Sequence, residues 1–342
     1  MANPALNLRL LPNYPALLHI YQQYYQDSKN GIPSNSCHLS SHWQRYSQES
    51  RVKIGSDDTL LGIEGKGFGS YRHERFLKRF ADYLCCAIHF LRAENKIEIV
   101  RLTRLARSLV RNIPFGYHYL SYDLFRQVHA LATVRQYFHP HKDEHFTVLV
   151  IGDGFGFLSA LIKAVYPSSC LVLIDIGRTL FFQCLYSQIL YPGHVHTAAG
   201  FDEISQDRKP MSDFVYCPAE KLEEMPKRCV RLIMNVCSMQ EMNKTEIERY
   251  FRYLRAHTET GGMFYCCNRE SKVLPDGEVV EFDGYPWLPT DRHLIDGYPS
   301  VYRFWLGSRR NGNKPKGYEW IPFVDGPDGP IRHRLTVLTP HP

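Results

Sequence analysis

The chain has 342 residues, more than one compact core usually needs, and its 44% hydrophobic and 22% charged content is that of a globular protein. Its 41 Lys and Arg against 35 Asp and Glu leave a net charge of +6 with no long basic run, which argues against a dedicated nucleic-acid binder. Ten cysteines without a single C-x-x-C pair argue against a thiolate zinc site, and their scatter over so long a chain argues against a disulfide scaffold.

Taken in chain order, Tyr14 to Tyr25 reads as a helix, and Leu61 to Tyr71 is glycine-rich with neither a helical nor a strand period. That segment is read either as a loop closing over ligand or as a plain connector. Phe76, Phe80, Leu84, Ile88 and Leu91 fall at helical spacing, and Leu102, Leu105, Ala106 and Leu109 repeat the pattern. The arginines at 101, 104, 107 and 111 take up much of the second helix's remaining surface, as a solvated face does. Tyr122 to Phe138 is one more helix. Residues 1–145 are therefore expected to form a helical cap, serving substrate binding or dimerisation.

At residue 146 the pattern changes. Thr147 to Ile151 is a continuous β-branched and apolar run, as expected of a strand covered on both faces. Phe157 to Tyr166 follows as a helix, Cys170 to Ile176 as a second strand, and Thr179 to Leu190 as a helix. Asp213 to Tyr216, Arg231 to Val236 and Gly262 to Cys267 read as strands, with a helix over Thr245 to His257. Alternation of this kind predicts a doubly wound, mostly parallel α/β sheet over residues 146–342. Near the end, Val301 to Leu306 alternates as a strand does, and Arg334 to Leu338 is its expected partner in a closing antiparallel hairpin.

The first strand runs into Gly152-Asp153-Gly154-Phe155-Gly156, and the second ends at Asp175. Glycines allow a sharp turn and close approach of a ligand to backbone amides, and a carboxylate about 20 residues on can accept ribose hydroxyls. Both features suit a nicotinamide dehydrogenase as well as a methyltransferase. The G-x-G-x-G spacing lacks the sixth-position glycine of dehydrogenases and so favours the methyltransferase.

After the fourth strand comes Asn235-Val236-Cys237-Ser238-Met239-Gln240-Glu241-Met242. This block resembles the N-x-x-S-[FM]-Q-E-M signature of a bacterial family of sugar O-methyltransferases. The resemblance extends over Ile174-Asp175-Ile176, Tyr250-Phe251, Gly261 to Tyr265 and Asn268-Arg269. It implies a class I Rossmann-like sheet of seven strands, S-adenosylmethionine as cofactor, and a hydroxyl on a sugar or glycosylated natural product as acceptor. Two positions depart from the pattern: Val150 stands where such enzymes carry an acid on the first strand, and Gly177 stands for a proline.

On this reading Gly152, Asp153, Gly154, Gly156, Asp175, Glu220, Asn235 and Ser238 are the candidate cofactor-binding residues. Glu241 and His293 are the candidate bases for an acceptor hydroxyl, since an alcohol attacks well only as its proton leaves. Glu241 reads equally as a helix-start residue, and Glu220 as a helix-start acid. Tyr285 and Trp287 are candidate walls of an acceptor pocket. Magnesium stays open, but the histidine sets at 139, 141 and 145 and at 194 and 196 are poor evidence for it, because magnesium prefers oxygen ligands. With no signal peptide or membrane span in view, a cytoplasmic protein is expected, with a small-molecule acceptor, no nucleic-acid or membrane partner, and a homodimer through the cap as an open option. The alternatives kept are a methyltransferase for another small polar acceptor and a Rossmann-like binding protein without catalysis.

Overall fold

The structure, a computed structural model, describes residues 6–23, 40–41, 51–64, 76–113, 120–198, 212–224, 230–299 and 330–340. Its first part runs β1 (Leu6–Asn7), α1 (Tyr14–Tyr21), β2 (Arg51–Ile54), β3 (Thr59–Glu64), α2 (Phe76–Arg92), α3 (Lys96–Asn112) and α4 (Tyr122–Val134). The α/β part continues with β4 (Thr147–Ile151), α5 (Phe157–Val165), β5 (Cys170–Asp175), α6 (Gly177–Leu190), β6 (His196–Ala198), β7 (Phe214–Pro218), β8 (Val230–Val236) and α7 (Lys244–His257). It closes with β9 (Thr258–Arg269), β10 (Ser271–Val273), β11 (Val279–Glu281), β12 (Arg292–Gly297) and β13 (Ile331–Val337).

The main sheet has eight strands in the order β12-β13-β9-β8-β4-β5-β7-β6. Strands β9, β8, β4, β5, β7 and β6 are parallel, and β13 enters antiparallel between β9 and β12. This is the methyltransferase-type sheet expected from the sequence, with one strand more: the short β6 adds an edge beyond β7. The closing hairpin also differs from the expectation. β13 pairs with Arg292–Gly297 on one side and with β9 on the other, so both its edges are taken. Val301 to Leu306 itself lies outside the described residues.

Alternation along the parallel strands builds two cores. Val148 and Val150 face α4, α5 and α6, together with Leu171, Leu173, Tyr216, Leu232 and Met234. Leu149 and Ile151 face the other way, with Val172, Ile174, Val215 and Ile233, against Ile247, Tyr250, Phe251 and Leu254 of α7. The first core continues without a break into the cap, through Leu17 of α1, Leu102 and Ala106 of α3, and Val128 and Leu131 of α4. Helix α6 is accordingly buried on nearly every side, from Leu180 to Gln188, between the sheet and α1. The arginines of α3 at 101, 104, 107 and 111 are exposed, so they form the solvated face.

The N-terminal region is not purely helical as expected. β1, β3 and β2 form a separate antiparallel sheet. The pairing of β2 with β3 shifts register between Lys53 and Ile54, where β3 carries Leu61 as an extra residue between Leu60 and Gly62. The rest of the glycine-rich segment, residues 65–71, lies outside the described residues.

Candidate functional site at the carboxyl edge of the sheet

The turn after β4 holds three glycines with positive φ: 68° at Gly152, 61° at Gly154 and 84° at Gly156. The surroundings give each a different reason to be glycine. An ideal β-carbon at Gly152 would fall 2.1 Å from Ser238 Oγ, so that residue's neighbour across the sheet fills the space. At Gly156 the β-carbon would meet the Gln183 backbone at 3.1 Å, where α5 packs on α6. At Gly154 it would meet nothing within 4 Å. Among the three, only Gly154 has open space where a side chain would stand, while its N–H donates to Asp175 and its carbonyl accepts from Gln183.

Asp153 turns away from that opening. Its carboxylate accepts the amides of Leu158 at 2.9 Å and Ser159 at 2.8 Å, serving the start of α5. Burial pushes its pKa up to about 7, with the neighbouring Asp175 adding to the rise. Asp175, at the end of β5, accepts from Gly154 N (3.1 Å), Ile176 N (2.8 Å), Thr179 Oγ1 (2.8 Å) and Gln183 Nε2 (2.7 Å). Burial raises it to about 6, against those hydrogen bonds. Thr179 and Gln183 lean over this carboxylate because they stand four and eight residues after it, on one face of α6. Gln183 Nε2 also donates to the Gly154 carbonyl at 3.0 Å, which fixes the amide's orientation. Its Oε1 is buried with no hydrogen-bond partner among the described residues.

The Asn235-to-Met242 block forms the opposite wall. Asn235 is fully buried; it donates to the Ile151 carbonyl at 3.0 Å and accepts from Asn268 Nδ2 at 2.7 Å. Ser238 Oγ donates to the same Ile151 carbonyl at 3.1 Å. Gln240 joins the set: its amide donates to Asn268 Oδ1 at 3.1 Å, and its Oε1 accepts from Arg269 N at 2.8 Å. The polar residues of the block thus clamp the ends of β4, β8 and β9 together. Cys237 holds φ at 62°, uncommon for a non-glycine residue, and Arg126 of α4 donates to its sulfur at 3.6 Å.

Glu241 lies in the 3-10 turn Met239–Glu241, half-buried and ion-paired to Lys272 Nζ of β10 at 3.2 Å. Burial pushes the Lys272 ammonium down and Glu241 pulls it back up. Glu241 does not cap α7, because Asn243 does so by accepting from Glu246 N at 2.8 Å.

Glu220 reaches the same edge, two residues past Pro218, which pairs with Asp175; its side chain is exposed. His293 does not join the group. Pairing places it level with Thr336, Phe264, Ile233 and Leu149 in turn, three residues short of Gly152 and four strands away from β4. That is roughly 10 Å along the strands and about 19 Å across them. There it is exposed and shares a 2.8 Å hydrogen bond with Thr336 Oγ1. Tyr285 and Trp287, expected as pocket walls, instead pack with Phe251, Phe264 and Phe282 in the α7-side core. No group of three or more His, Cys, Asp or Glu side chains among the described residues is arranged to hold a metal. His196 is buried between Phe214 and Tyr216, hydrogen-bonded to Tyr216 Oη at 2.8 Å.

Sequence reasoning quoted Asn268 only as part of the resemblance and did not single out Thr179, Gln183, Lys272 or Arg126. The helical spacing 175, 179, 183 was available as a signal for the first two; the others come together only through the fold.

No family model matches the chain, and no curated protein matches it. Among solved structures it is similar to a Galdieria sulphuraria protein assigned as a sarcosine dimethylglycine methyltransferase, at 10% identity and a TM-score of 0.43, over 63% of this chain and 86% of that one. It is similar also to the geranyl diphosphate C-methyltransferase of Streptomyces coelicolor A3(2), at 11% identity and a TM-score of 0.39, over 63% and 79% of the two chains. A third likeness is to phosphoethanolamine N-methyltransferase 1 of Haemonchus contortus, at 10% identity and a TM-score of 0.37, over 79% and 50%. All these scores lie below 0.5, so the chemistry of the site is read from this chain's own residues.

Proposed function

We propose that the chain is an S-adenosylmethionine-dependent O-methyltransferase acting on a hydroxyl of a sugar or of a glycosylated natural product. The observation that carries this reading is the opening at Gly154, between Asp175 and the Ser238 clamp, at the carboxyl edge where a doubly wound sheet receives its ligand.

In this reading Asp175 and the Gly154 backbone hold the cofactor's ribose and amino-acid portions, with Glu220 at the adenine side. S-adenosylmethionine, when bound, supplies a methyl group on a sulfonium, ready for in-line displacement by an oxygen nucleophile. The protein's own part is to orient the acceptor hydroxyl and remove its proton. Glu241 takes that proton, and Lys272 holds its carboxylate in place until then. Gly152, Gly156, Asn235 and Ser238 act one step back, fixing the shape of the turn.

The resemblance of Asn235 to Met242 to the sugar methyltransferase signature supports the acceptor class. No helix among the described residues is long and apolar enough to cross a membrane. We also assign self-association to the outer face of α2, where Phe80, Leu84 and Leu91 are exposed. The test of the function is methyl transfer from radiolabelled S-adenosylmethionine to a panel of monosaccharides and glycosides. Labelled product that disappears in Glu241→Gln supports the reading, and no product with any hydroxyl acceptor refutes it.

A further inference from the structure

The N-terminal region grips the stretch that carries Glu241 at both ends. Arg126 of α4 donates to Cys237 Sγ, just before the 3-10 turn Met239–Glu241. Ser40, which precedes β2 in the chain, donates its hydroxyl to the Glu241 carbonyl at the end of that turn. Ser40 is only 3% exposed, so this contact is made away from bulk water.

The place of that carbonyl gives the contact its consequence. The last carbonyls of a short helix have no partner within it and need a donor from elsewhere. Within the turn, the Glu241 amide donates to the Ser238 carbonyl at 3.0 Å, and Met242 N donates to the Met239 carbonyl at 3.1 Å. Neither bond involves the Glu241 carbonyl; Ser40 supplies its donor. Both peptide planes that flank the Glu241 α-carbon are therefore held, one by Ser238 and one by Ser40. Together they fix the direction in which the side chain leaves the backbone.

From that anchored position the carboxylate meets Lys272 Nζ of β10 at 3.2 Å, with the two side chains 19% and 11% exposed. A base that must meet an acceptor proton tolerates little drift, since a misplacement of about 1 Å can lower a rate about 100-fold.

We infer that Ser40 is a positioning residue, whose hydroxyl holds the Glu241 turn so that the carboxylate stays against Lys272. That this serves catalysis rests on the methyltransferase reading and on Glu241 as its base; that Ser40 places the carboxylate does not. The N-terminal region thus contributes to the site itself as well as covering α6.

Lys272 reports the placement without any acceptor. Burial lowers its ammonium and Glu241 raises it; Arg269 and Cys237 act on it too and are left unchanged by the substitutions used. Heteronuclear NMR of lysine-labelled protein, with the Lys272 signal identified by its loss in Lys272→Gln, follows its titration. In Ser40→Ala the Lys272 midpoint should fall towards that of Glu241→Gln, with circular dichroism unchanged. Adding Ser40→Ala to Glu241→Gln should move it no further.

Turnover gives the second readout. Ser40→Ala should lower it about tenfold, with S-adenosylhomocysteine affinity kept within about twofold, and should again add nothing in the Glu241→Gln background. Ser40→Thr keeps the hydroxyl and should match the wild type by both readouts. An unchanged Lys272 midpoint in Ser40→Ala, a turnover loss that persists in Glu241→Gln, or an equal loss in Ser40→Thr overturns the inference. A protein whose Lys272 responds as expected, yet which methylates no hydroxyl acceptor, keeps the placement and loses the methyltransferase reading.

Discussion

Ser238 Oγ occupies the space that a side chain on Gly152 would need, 2.1 Å from where its β-carbon would stand. The serine is itself held by the Ile151 carbonyl, one residue before that glycine, so the turn after β4 and the block after β8 define each other. Gly152→Ala must displace this contact and also accept a φ of 68°. We expect it to destabilise the fold by about 2–4 kcal/mol, from overpacking and from left-handed strain together. Ser238→Gly in the same chain should recover the packing part only, and paired denaturant titrations of the single and double variants measure it.

Gly154→Ala separates folding from binding. Its β-carbon meets nothing, so only the cost of a φ of 61° remains, about 1–2 kcal/mol. The variant should stay folded at 25 °C and lose cofactor affinity by tenfold or more. Equal affinity in a folded Gly154→Ala would show that nothing approaches the backbone there.

Asp175 predicts the pH dependence. Its pKa is raised to about 6, so the free protein carries it protonated below that pH. Ribose hydroxyls donate to the ionised form, and binding must therefore expel a proton in acid. Affinity for S-adenosylhomocysteine should be level above about pH 7 and fall about tenfold per unit below pH 6, as measured by titration calorimetry in buffers of different ionisation heat. Asp175→Asn should remove both the affinity and this slope.

Two candidate bases are distinguished by position. Glu241→Gln should lower turnover by about 100-fold or more, within the range a general base contributes, with cofactor affinity unchanged. His293→Ala should leave turnover within twofold, since pairing holds it three residues below the turn and four strands away.

Much of this was legible in the sequence. Thr147–Ile151 forms a strand over the span its apolar run predicts, and the parallel elements after it begin and end within a few residues of their predicted bounds. Uninterrupted burial leaves a strong signal of that kind. The glycine turn, Asp175 and the Asn235 block were also readable as candidates. What each polar residue does was not. Asp153 serves α5 and Asn235 ties strands together, because a side chain's partners depend on pairing between distant segments. His293 looked chemical beside Asp291 in sequence, yet Asp291 is clasped by Arg255 through two 2.7 Å bonds. The β2–β3 pair was not read from the sequence: β2 is only four residues long and pairs with β3 across a register shift.

That clasp is a stability element. Both side chains are buried, 2% exposed for Arg255 and 0% for Asp291, and Leu288 N and Thr339 N donate to the same carboxylate. Asp291→Ala leaves a buried guanidinium without its partner and should cost about 3–5 kcal/mol. Thermal unfolding reads the loss, and cofactor affinity of the folded fraction should not change.

The most direct measurement is isothermal titration of the protein with S-adenosylmethionine and S-adenosylhomocysteine, with NAD as control. Micromolar binding of the first two, absent for NAD and abolished by Asp175→Asn, is the predicted result. No binding of either would contradict the cofactor assignment and leave the glycine turn a structural feature only.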